Sequence, residues 1–445
     1  MADRSNWGIT PVPERLRVLG ALDSTLLWFS LGTSLLVLVA GTYLVPALSL
    51  PEALLAILVG GVAGNLMLGL AAAIGTDARV PAMVLLRAPL GRQGSYLATA
   101  LNVLQNLGWT IFELIVIATA AAALSKQVFG FEAKWAWTLV FGALTTALAL
   151  LGPIGFVREW VRRFAVWVVL GSYGYLTWWA LHDAHLHELW TRDGEGGLGF
   201  WQGVDLMVAM PASWLPLAAD YSRFGRRRTD SFLGAFVGYL IPNVWLYALG
   251  ALLLLSQGLS DATSLLTAIA GGGVAAALAL TALGIDETKE PFANVYSTAV
   301  SLQNLAPRVP QRLLIVVAAI GSTGAALVID LGRYQSFLYL LGSFFVPLFG
   351  VLLADWLAAR AHYRERDVFG APSVRPGPIV AWLVGFCFYQ WLQPVGPGWW
   401  TNLVEHAHPG TLAIGASLPS FAAAFLLTLA VSLVPRALVP APAAD

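Results

Sequence analysis

Four ionisable residues lie close together in an otherwise apolar stretch of the chain. Asp286, Glu287, Lys289 and Glu290 occur within five residues, in the middle of the run 264–302. An ionisable side chain inside a membrane is energetically costly, so it usually faces a water-filled cavity or the interior of a helix bundle. The cluster therefore predicts either a loop between two short membrane spans or a polar site at membrane depth.

Helical geometry favours the polar site. At about 100° per residue, the four side chains share about 160° of one helix face with Asn294 and Ser297. Pro291 has no amide hydrogen, so the Glu287 carbonyl stays free to bind a ligand. The loop remains the alternative, but a break here would disturb both the number of spans and the distribution of positive charge described below.

A second helix has the same one-sided polarity. Within 101–116, four polar side chains and one indole project within about 100° of each other. They are Asn102, Gln105, Asn106, Trp109 and Glu113. Amides donate and accept hydrogen bonds, and an indole offers a flat face, so this set suits a planar heteroaromatic ligand. Polar contacts between helices, which are common in membranes, are the alternative interpretation.

The segment 208–224 predicts an interrupted helix. Pro211 and Pro216 lie five residues apart on either side of Ser213 and Trp214. Each proline removes a helical hydrogen bond, so backbone groups between them are partly free. Such interruptions at matching positions in the two halves of a chain are typical of the midplane site of a secondary transporter.

The matching interruption in the first half falls in the apolar segment 26–46. Gly32 and Gly41 are its candidate break points, which is weaker evidence than two prolines. The two segments are the first and sixth apolar runs, so they correspond if five helices repeat. An odd number of helices in the repeat inverts the second copy in the membrane.

The composition identifies the surroundings of these helices as a membrane. Of the 445 residues, 58% are hydrophobic and 11% charged, whereas a soluble domain has about 25% charged residues. A membrane-spanning helix needs about 20 mostly apolar residues. Twelve runs meet this requirement, numbered here as spans 1 to 12: 24–47, 51–75, 96–124, 135–153, 161–181, 203–220, 232–256, 264–302, 312–329, 334–358, 378–393 and 411–434. Span 8 is long enough to tilt or break.

The basic residues predict the orientation. Twenty of the 25 Lys and Arg fall at the two ends of the chain or in connections after even-numbered spans, four fall in connections after odd-numbered spans, and Lys289 remains. Because positive residues collect on the cytoplasmic side, both termini are predicted to be cytoplasmic. We therefore predict an all-α polytopic protein of the plasma membrane with lipid around it, no nucleic-acid partner and no obligate protein partner.

Three segments resemble the nucleobase:cation symporter-1 family. They are "GNLMLGLAAAIGTDARVPAMVLLRAPLGRQGSYLATALNVLQNLGW" (64–109), "PLAADYSRFGR" (216–226) and "ANVYSTAVSLQNL" (293–305). The family includes cytosine permeases, allantoin and hydantoin transporters, and hydroxymethylpyrimidine transporters linked to thiamine supply. The last branch is the most similar, through "LNVLQNLGW", "LPLAADYSRF" and "VYSTAVSL".

The resemblance implies a LeuT-like fold of two inverted five-helix repeats followed by two C-terminal helices. Applied to this chain, it divides the sequence into a cytoplasmic segment, a first repeat, a second repeat, a helix pair and a cytoplasmic tail. These parts cover 1–20, 21–182, 203–358, 378–434 and 435–445. Alternating access would operate around a site between spans 1, 3, 6 and 8.

The family also implies roles for residues of that site. Trp109 would stack on a heterocyclic substrate, Gln105 or Asn106 would bind its ring, Ser213 would contact it from span 6, and a polar residue near Asp286 would read it. Together with the residue patterns above, this gives a predicted substrate site comprising Trp109, Gln105, Asn106, Glu113, Ser213, Trp214, Asp286, Glu290 and Asn294.

The charge balance suggests the kind of substrate. Glu113 and the cluster's three carboxylates against Lys289 give a formal charge of −3. Buried charge of that size requires protonation or a cationic ligand. An amino-bearing pyrimidine or related heterocycle is therefore expected; purine, allantoin and thiamine-like substrates are alternatives.

The coupling ion is expected to differ from the sodium that the family binds. The family's sodium lies between carbonyls of span 1 and hydroxyls of span 8, where this chain has Thr288, Lys289 and Glu290. With Glu287, Thr288 and Lys289 are the predicted coupling residues. A lysine ammonium repels a second cation, so proton-linked or sodium-independent transport is expected, with sodium symport as the alternative.

Other chemistry has little support. No cofactor and no metal site is predicted: His182, His185 and His187 form no known ligand spacing with Cys or carboxylates. No nucleotide-binding motif is present, so an ATP-driven pump is not expected. An intramembrane enzyme that uses Glu113 with Asp286 or Glu290 as acid and base is the alternative from another functional class.

Overall fold

The computed structural model describes residues 10–151, 166–305, 308–406 and 414–433. The described residues form 21 α-helices and two short 3-10 helices, Glu14–Leu16 and Leu331–Arg333, and contain no strand beyond a single bridge between Leu19 and Gly225. The predicted cytoplasmic tail 435–445, residues 1–9 of the segment 1–20, and the connection that contains Arg158, Arg162 and Arg163 lie outside these ranges.

The first half of the chain contains ten helices. They are α1 (Ala21–Gly32), α2 (Leu35–Thr42), α3 (Leu50–Ala78), α4 (Ala82–Leu85), α5 (Arg87–Leu90), α6 (Ser95–Phe129), α7 (Lys134–Leu151), α8 (Val166–Asp183), α9 (Leu186–Thr191) and α10 (Phe200–Ser213).

Eleven helices follow. They are α11 (Ala218–Ser222), α12 (Arg228–Ser256), α13 (Ala262–Gly271), α14 (Val274–Glu287), α15 (Lys289–Leu305), α16 (Gln311–Val328), α17 (Tyr334–Ala358), α18 (Glu365–Phe369), α19 (Pro376–Leu392), α20 (Gly398–Glu405) and α21 (Ser417–Leu433).

The helices are consistent with the predicted spans. Each of the twelve predicted runs overlaps at least one described helix. By length and apolar composition, five helices can cross a membrane alone, namely α3, α6, α12, α16 and α17 with its preceding turn. The pair α1 and α2, bent by 60°, adds a sixth span. The total of twelve stays a prediction.

Span 8 is not one helix. Residues 264–302 divide among α13, α14 and α15. Gly273 separates the first two with a φ of +95°, a conformation that favours glycine. Pro291 cannot donate to the Glu287 carbonyl, and the chain makes a turn at Thr288 between α14 and α15. The interruption between α14 and α15 therefore falls inside the charged cluster.

Both predicted interruptions are present. Span 6 is broken between Ser213 and Ala218, at the segment that contains Pro216. Span 1 is broken after Gly32, where Thr33 and Ser34 are extended. The second glycine candidate of span 1 has another role, because Gly41 lies within α2 against the backbone of Tyr247 on α12.

Glycines bring α2 against α12. A Cβ added at Gly250 would lie 1.9 Å from the Leu38 carbonyl oxygen, and one at Gly41 would lie 2.0 Å from the Tyr247 carbonyl oxygen. Neither approach tolerates a side chain, because both neighbours are backbone atoms. This contact fixes α2, the second half of span 1, on span 7.

One end of the bundle gathers the basic connections. Asp77, at the end of α3, pairs with Arg228 and His362 and accepts hydrogen bonds from the Trp356 indole and the Tyr363 amide, at 2.9 and 3.0 Å. This is the end that the charge distribution predicts to be cytoplasmic.

The last helix is attached to span 6. Asp205 on α10 accepts hydrogen bonds from the backbone amides of Ala416 and Ser417, at 2.6 and 2.9 Å. These amides are at the start of α21, so the carboxylate caps that helix.

We predict that Gly250→Ala destabilises the purified protein by about 1–3 kcal/mol, because the new methyl group overpacks the contact with the Leu38 carbonyl. Gly321→Ala is the matched control: a Cβ there meets nothing within 4 Å, and alanine is the better helix former. Thermal unfolding in detergent measures both. Equal midpoints for the two variants would contradict this packing.

Candidate functional site

A cavity lies where the two interrupted helices meet α6, α12 and α15. The space between the atoms of its lining is about 440 Å³, a figure that includes the part open to solvent. Its lining consists of Leu31, Ser34, Leu36, Val37, Trp109, Glu113, Met210, Ser213, Trp214, Leu217, Tyr239, Glu290 and Asn294.

Six of the nine residues predicted to bind substrate line this cavity: Trp109, Glu113, Ser213, Trp214, Glu290 and Asn294. Gln105, Asn106 and Asp286 lie outside the lining, as do the three predicted coupling residues. The hydrogen bonds of the α6 amides, and the contacts at the interruption of span 8, account for these six exceptions.

Glu287 holds the break in span 1. Its carboxylate accepts hydrogen bonds from the Ser34 hydroxyl at 2.6 Å and from the Leu35 amide at 2.8 Å. Ser34 also caps α2 by accepting from the Leu36 amide at 3.0 Å. A helix N-terminus has unsatisfied amides and a partial positive charge, so a carboxylate stabilises it. Span 8 is thereby joined to span 1 at the site.

Lys289 and Asp286 form a pair beside this contact. The ammonium lies 2.7 Å from the Asp286 carboxylate, one helical turn away, and their side chains are 31% and 10% exposed. The Thr288 hydroxyl donates to the Ile285 carbonyl at 2.7 Å, inside the same turn. These three side chains therefore neutralise or cap their own helix segment, and none of them lines the cavity.

Two carboxylates face the cavity itself. Glu113 accepts two hydrogen bonds from the Asn294 amide nitrogen, at 3.0 and 3.1 Å. Glu290 is 8% exposed and has no hydrogen-bond or ion-pair partner within the described ranges. Its oxygens are therefore available to a ligand.

Gln105 and Asn106 lie behind the lining. Gln105 donates to Asn102 at 2.8 Å and to the Ser213 carbonyl at 3.0 Å, so it positions the end of α10. The Gln105 carbonyl oxygen and both polar atoms of the Asn106 amide have no partner in the described structure, although all are buried. Buried amides are normally satisfied, which marks this part of α6 as a place for water or a ligand group.

Aromatic side chains close the cavity on two sides. Trp109 meets Tyr334 and Phe337 edge to face, with ring centroids 5.9 and 5.3 Å apart. On the side of α1, Trp214 meets Trp28 at 5.8 Å and donates its indole hydrogen to the Tyr239 hydroxyl at 2.7 Å. Planar ligands fit between such surfaces.

Seven lining residues were not predicted, and two of these, Ser34 and Tyr239, have polar side chains. Ser34 has a recognisable signal, because a serine directly before an apolar run is typical of a helix cap. Tyr239 has none: it is one of several aromatic residues in an apolar span, and only packing brings it to the site.

The chain matches, over residues 11–372, the family described as "Permease for cytosine/purines, uracil, thiamine, allantoin". It belongs to this family. The cytosine permease of Escherichia coli (strain K12) is 25% identical over 402 residues, covering 89% of this chain and 92% of that protein. The hydantoin permease of Microbacterium maritypicum is 23% identical over 382 residues, covering 79% and 77%.

Solved structures of Mhp1, a nucleobase-cation-symport-1 family transporter, have the same fold. The inward-facing conformation has a TM-score of 0.79 at 19% identity and covers 96% of this chain and 92% of that one. A closed conformation with bound bromovinylhydantoin has a TM-score of 0.75 and covers 96% and 94%. The permease therefore has the LeuT-like fold of a multi-pass membrane protein, and it is a secondary transporter rather than an enzyme.

We predict that Glu287→Ala lowers the stability of the permease by about 1–3 kcal/mol, because it leaves the Leu35 amide and the Ser34 hydroxyl without their acceptor. Thr281→Ala in the same helix is the control, since the Thr281 hydroxyl only donates to its own helix at Ala277. A double-mutant cycle with Ser34→Ala should give a coupling energy of at least about 0.5 kcal/mol. Additive effects would contradict the contact between spans 1 and 8.

Proposed function

We propose that this permease imports a nucleobase-like or pyrimidine-type heterocycle across the plasma membrane by alternating access. The observation that supports this most is the cavity at the two helix breaks, where the Trp109 and Trp214 rings lie near the polar groups of Ser213, Asn294 and Glu290. Relatives named cytosine permease and hydantoin permease point to the same class of planar, nitrogen-rich ring.

The roles of the site residues follow from their positions. Trp109 stacks on the ring, Ser213 and Asn294 donate or accept hydrogen bonds at its edge, and Glu290 binds its N–H groups. Gln105 and Asn106 reach the ring through water or after a rearrangement, because their unpaired amide atoms lie behind the lining. Asp286 acts through its pair with Lys289.

The architecture of the transport cycle is part of the proposal. We assign 21–182 and 203–358 to the two inverted repeats, and 378–434 to the added helix pair. Both termini are cytoplasmic, as the basic residues predict. The interrupted spans 1 and 6 then rearrange around a fixed site near the bilayer midplane.

Coupling is proton-linked or sodium-independent in this proposal. The contact between the break of span 1 and span 8 is made by Glu287, and the Lys289 ammonium lies two residues away in sequence. An ammonium there carries the charge that a bound sodium would otherwise supply and repels a second cation.

The substrate assignment predicts that Trp109→Ala lowers the affinity for a transported pyrimidine by about 10–100-fold, since base–aromatic stacking is worth about 1–3 kcal/mol. Trp109→Phe, which retains a flat ring, should lose clearly less. Binding by the purified permease, first screened by ligand-induced thermal shift, measures this. Stabilisation by an aliphatic amino acid and by no heterocycle would refute the assignment.

The coupling assignment predicts substrate uptake into proteoliposomes that is unchanged when potassium replaces sodium, and that a proton gradient stimulates. Lys289→Ala should abolish the stimulation by protons. Strict dependence on sodium would show that the permease is a sodium symporter. Proton-driven uptake that survives Lys289→Ala would reduce Lys289 to a structural partner of Asp286.

A further inference from the structure

The cavity has an unbalanced charge. Its lining includes two carboxylates, Glu113 and Glu290, and no Lys, Arg or His. The lining residues all belong to the described part of the chain. Two uncompensated negative charges in an apolar surrounding are costly, and the cost is removed when the carboxylates are protonated or when a cation binds beside them.

Within the described residues, the nearby basic residue forms no ion pair with either carboxylate of the lining. The Lys289 ammonium is bonded to Asp286 at 2.7 Å, on a part of span 8 outside the lining. Glu287 is likewise occupied, because its oxygens accept hydrogen bonds from Ser34 and Leu35. Of the cluster's carboxylates, only Glu290 keeps oxygens that face the cavity without a protein partner.

The rest of the lining also suits a cation. Trp109, Trp214 and Tyr239 surround the carboxylates with aromatic rings, and the faces of such rings attract cationic groups. Asn294 holds Glu113 by both oxygens, at 3.0 and 3.1 Å. Glu113 is thus fixed in place, whereas Glu290 is free to pair with an incoming group.

We propose that the cavity contains a cation subsite in which Glu290 forms a direct ion pair with a protonated amino substituent of the heterocycle, and Glu113 supplies a second negative charge. This rests on the proposed function and narrows it to heterocycles that carry a positive charge. A neutral ring of the same shape would leave Glu290 unpaired.

Two probes of matched shape test this: a pyrimidine with an aminomethyl substituent, which is cationic at neutral pH, and the same ring with a hydroxymethyl substituent, which is neutral. We expect the purified permease to bind the aminomethyl ring at least roughly 30-fold more tightly, as for buried charge pairs. Glu290→Gln should reduce this preference to less than about threefold, because the amide has no charge to pair with the ammonium.

Asp205→Asn is the matched control. Asp205 is also a buried carboxylate on a helix of the site, but it caps α21 and does not line the cavity, and asparagine is itself a good helix cap. This variant should keep the preference of the wild type. A thermal-unfolding midpoint of Glu290→Gln close to that of the wild type shows that the variant is folded.

The results test the cation subsite and the proposed pyrimidine substrate separately. If the wild type binds both rings equally well, or if Glu290→Gln keeps the preference, the cation subsite is refuted and the heterocycle permease stands. If Glu290→Gln keeps the preference but removes a sodium dependence of binding, Glu290 holds the coupling ion and the subsite is again refuted. If neither ring binds, both the subsite and the proposed pyrimidine substrate fail.

Discussion

The hydrogen bonds that Glu287 accepts from the break in span 1 are the interaction on which the site depends. They satisfy the Leu35 amide and the Ser34 hydroxyl at the start of α2, inside a helix bundle where an unpaired polar group is costly. They also join span 8 to span 1 beside the cavity. Glu290 lies one turn after Glu287, beyond the interruption at Thr288. The contact of Glu287 with span 1 therefore also positions the Glu290 carboxylate. The break and the binding surface are therefore held as one unit.

A transporter needs a site that opens to either side in turn, and the aromatic clusters provide two surfaces that have to separate. One cluster centres on Trp109, Phe337 and Tyr334, the other on Trp214, Trp28 and Tyr239. Edge-to-face ring contacts contribute about 0.5–1.5 kcal/mol each, which is small enough to be exchanged for contacts with a planar substrate. By contrast, α2 packs on Gly250 through its backbone, with no side chain between them that could rearrange.

One-sided polarity in an apolar run was sufficient to predict much of the site from the sequence. Trp109 and Glu113 on span 3, and Glu290 and Asn294 on span 8, all line the cavity. The positions of Asp286 and Lys289 relative to the cavity could not be predicted in this way, because a helical projection assumes one continuous helix and the helix is interrupted at Thr288. Gln105 faces the Ser213 carbonyl rather than the cavity, which depends on how α6 meets the end of α10.

The most direct test of the site is a structure of the permease with a brominated pyrimidine bound. If the helix breaks form the substrate site, the ring and its bromine will lie in the cavity, against the Trp109 indole and within hydrogen-bond distance of Glu290 or Ser213. A separate pocket lies between Lys134 and Asp330. A ring bound there instead, with the central cavity unchanged, would contradict a site built on the breaks of spans 1 and 6.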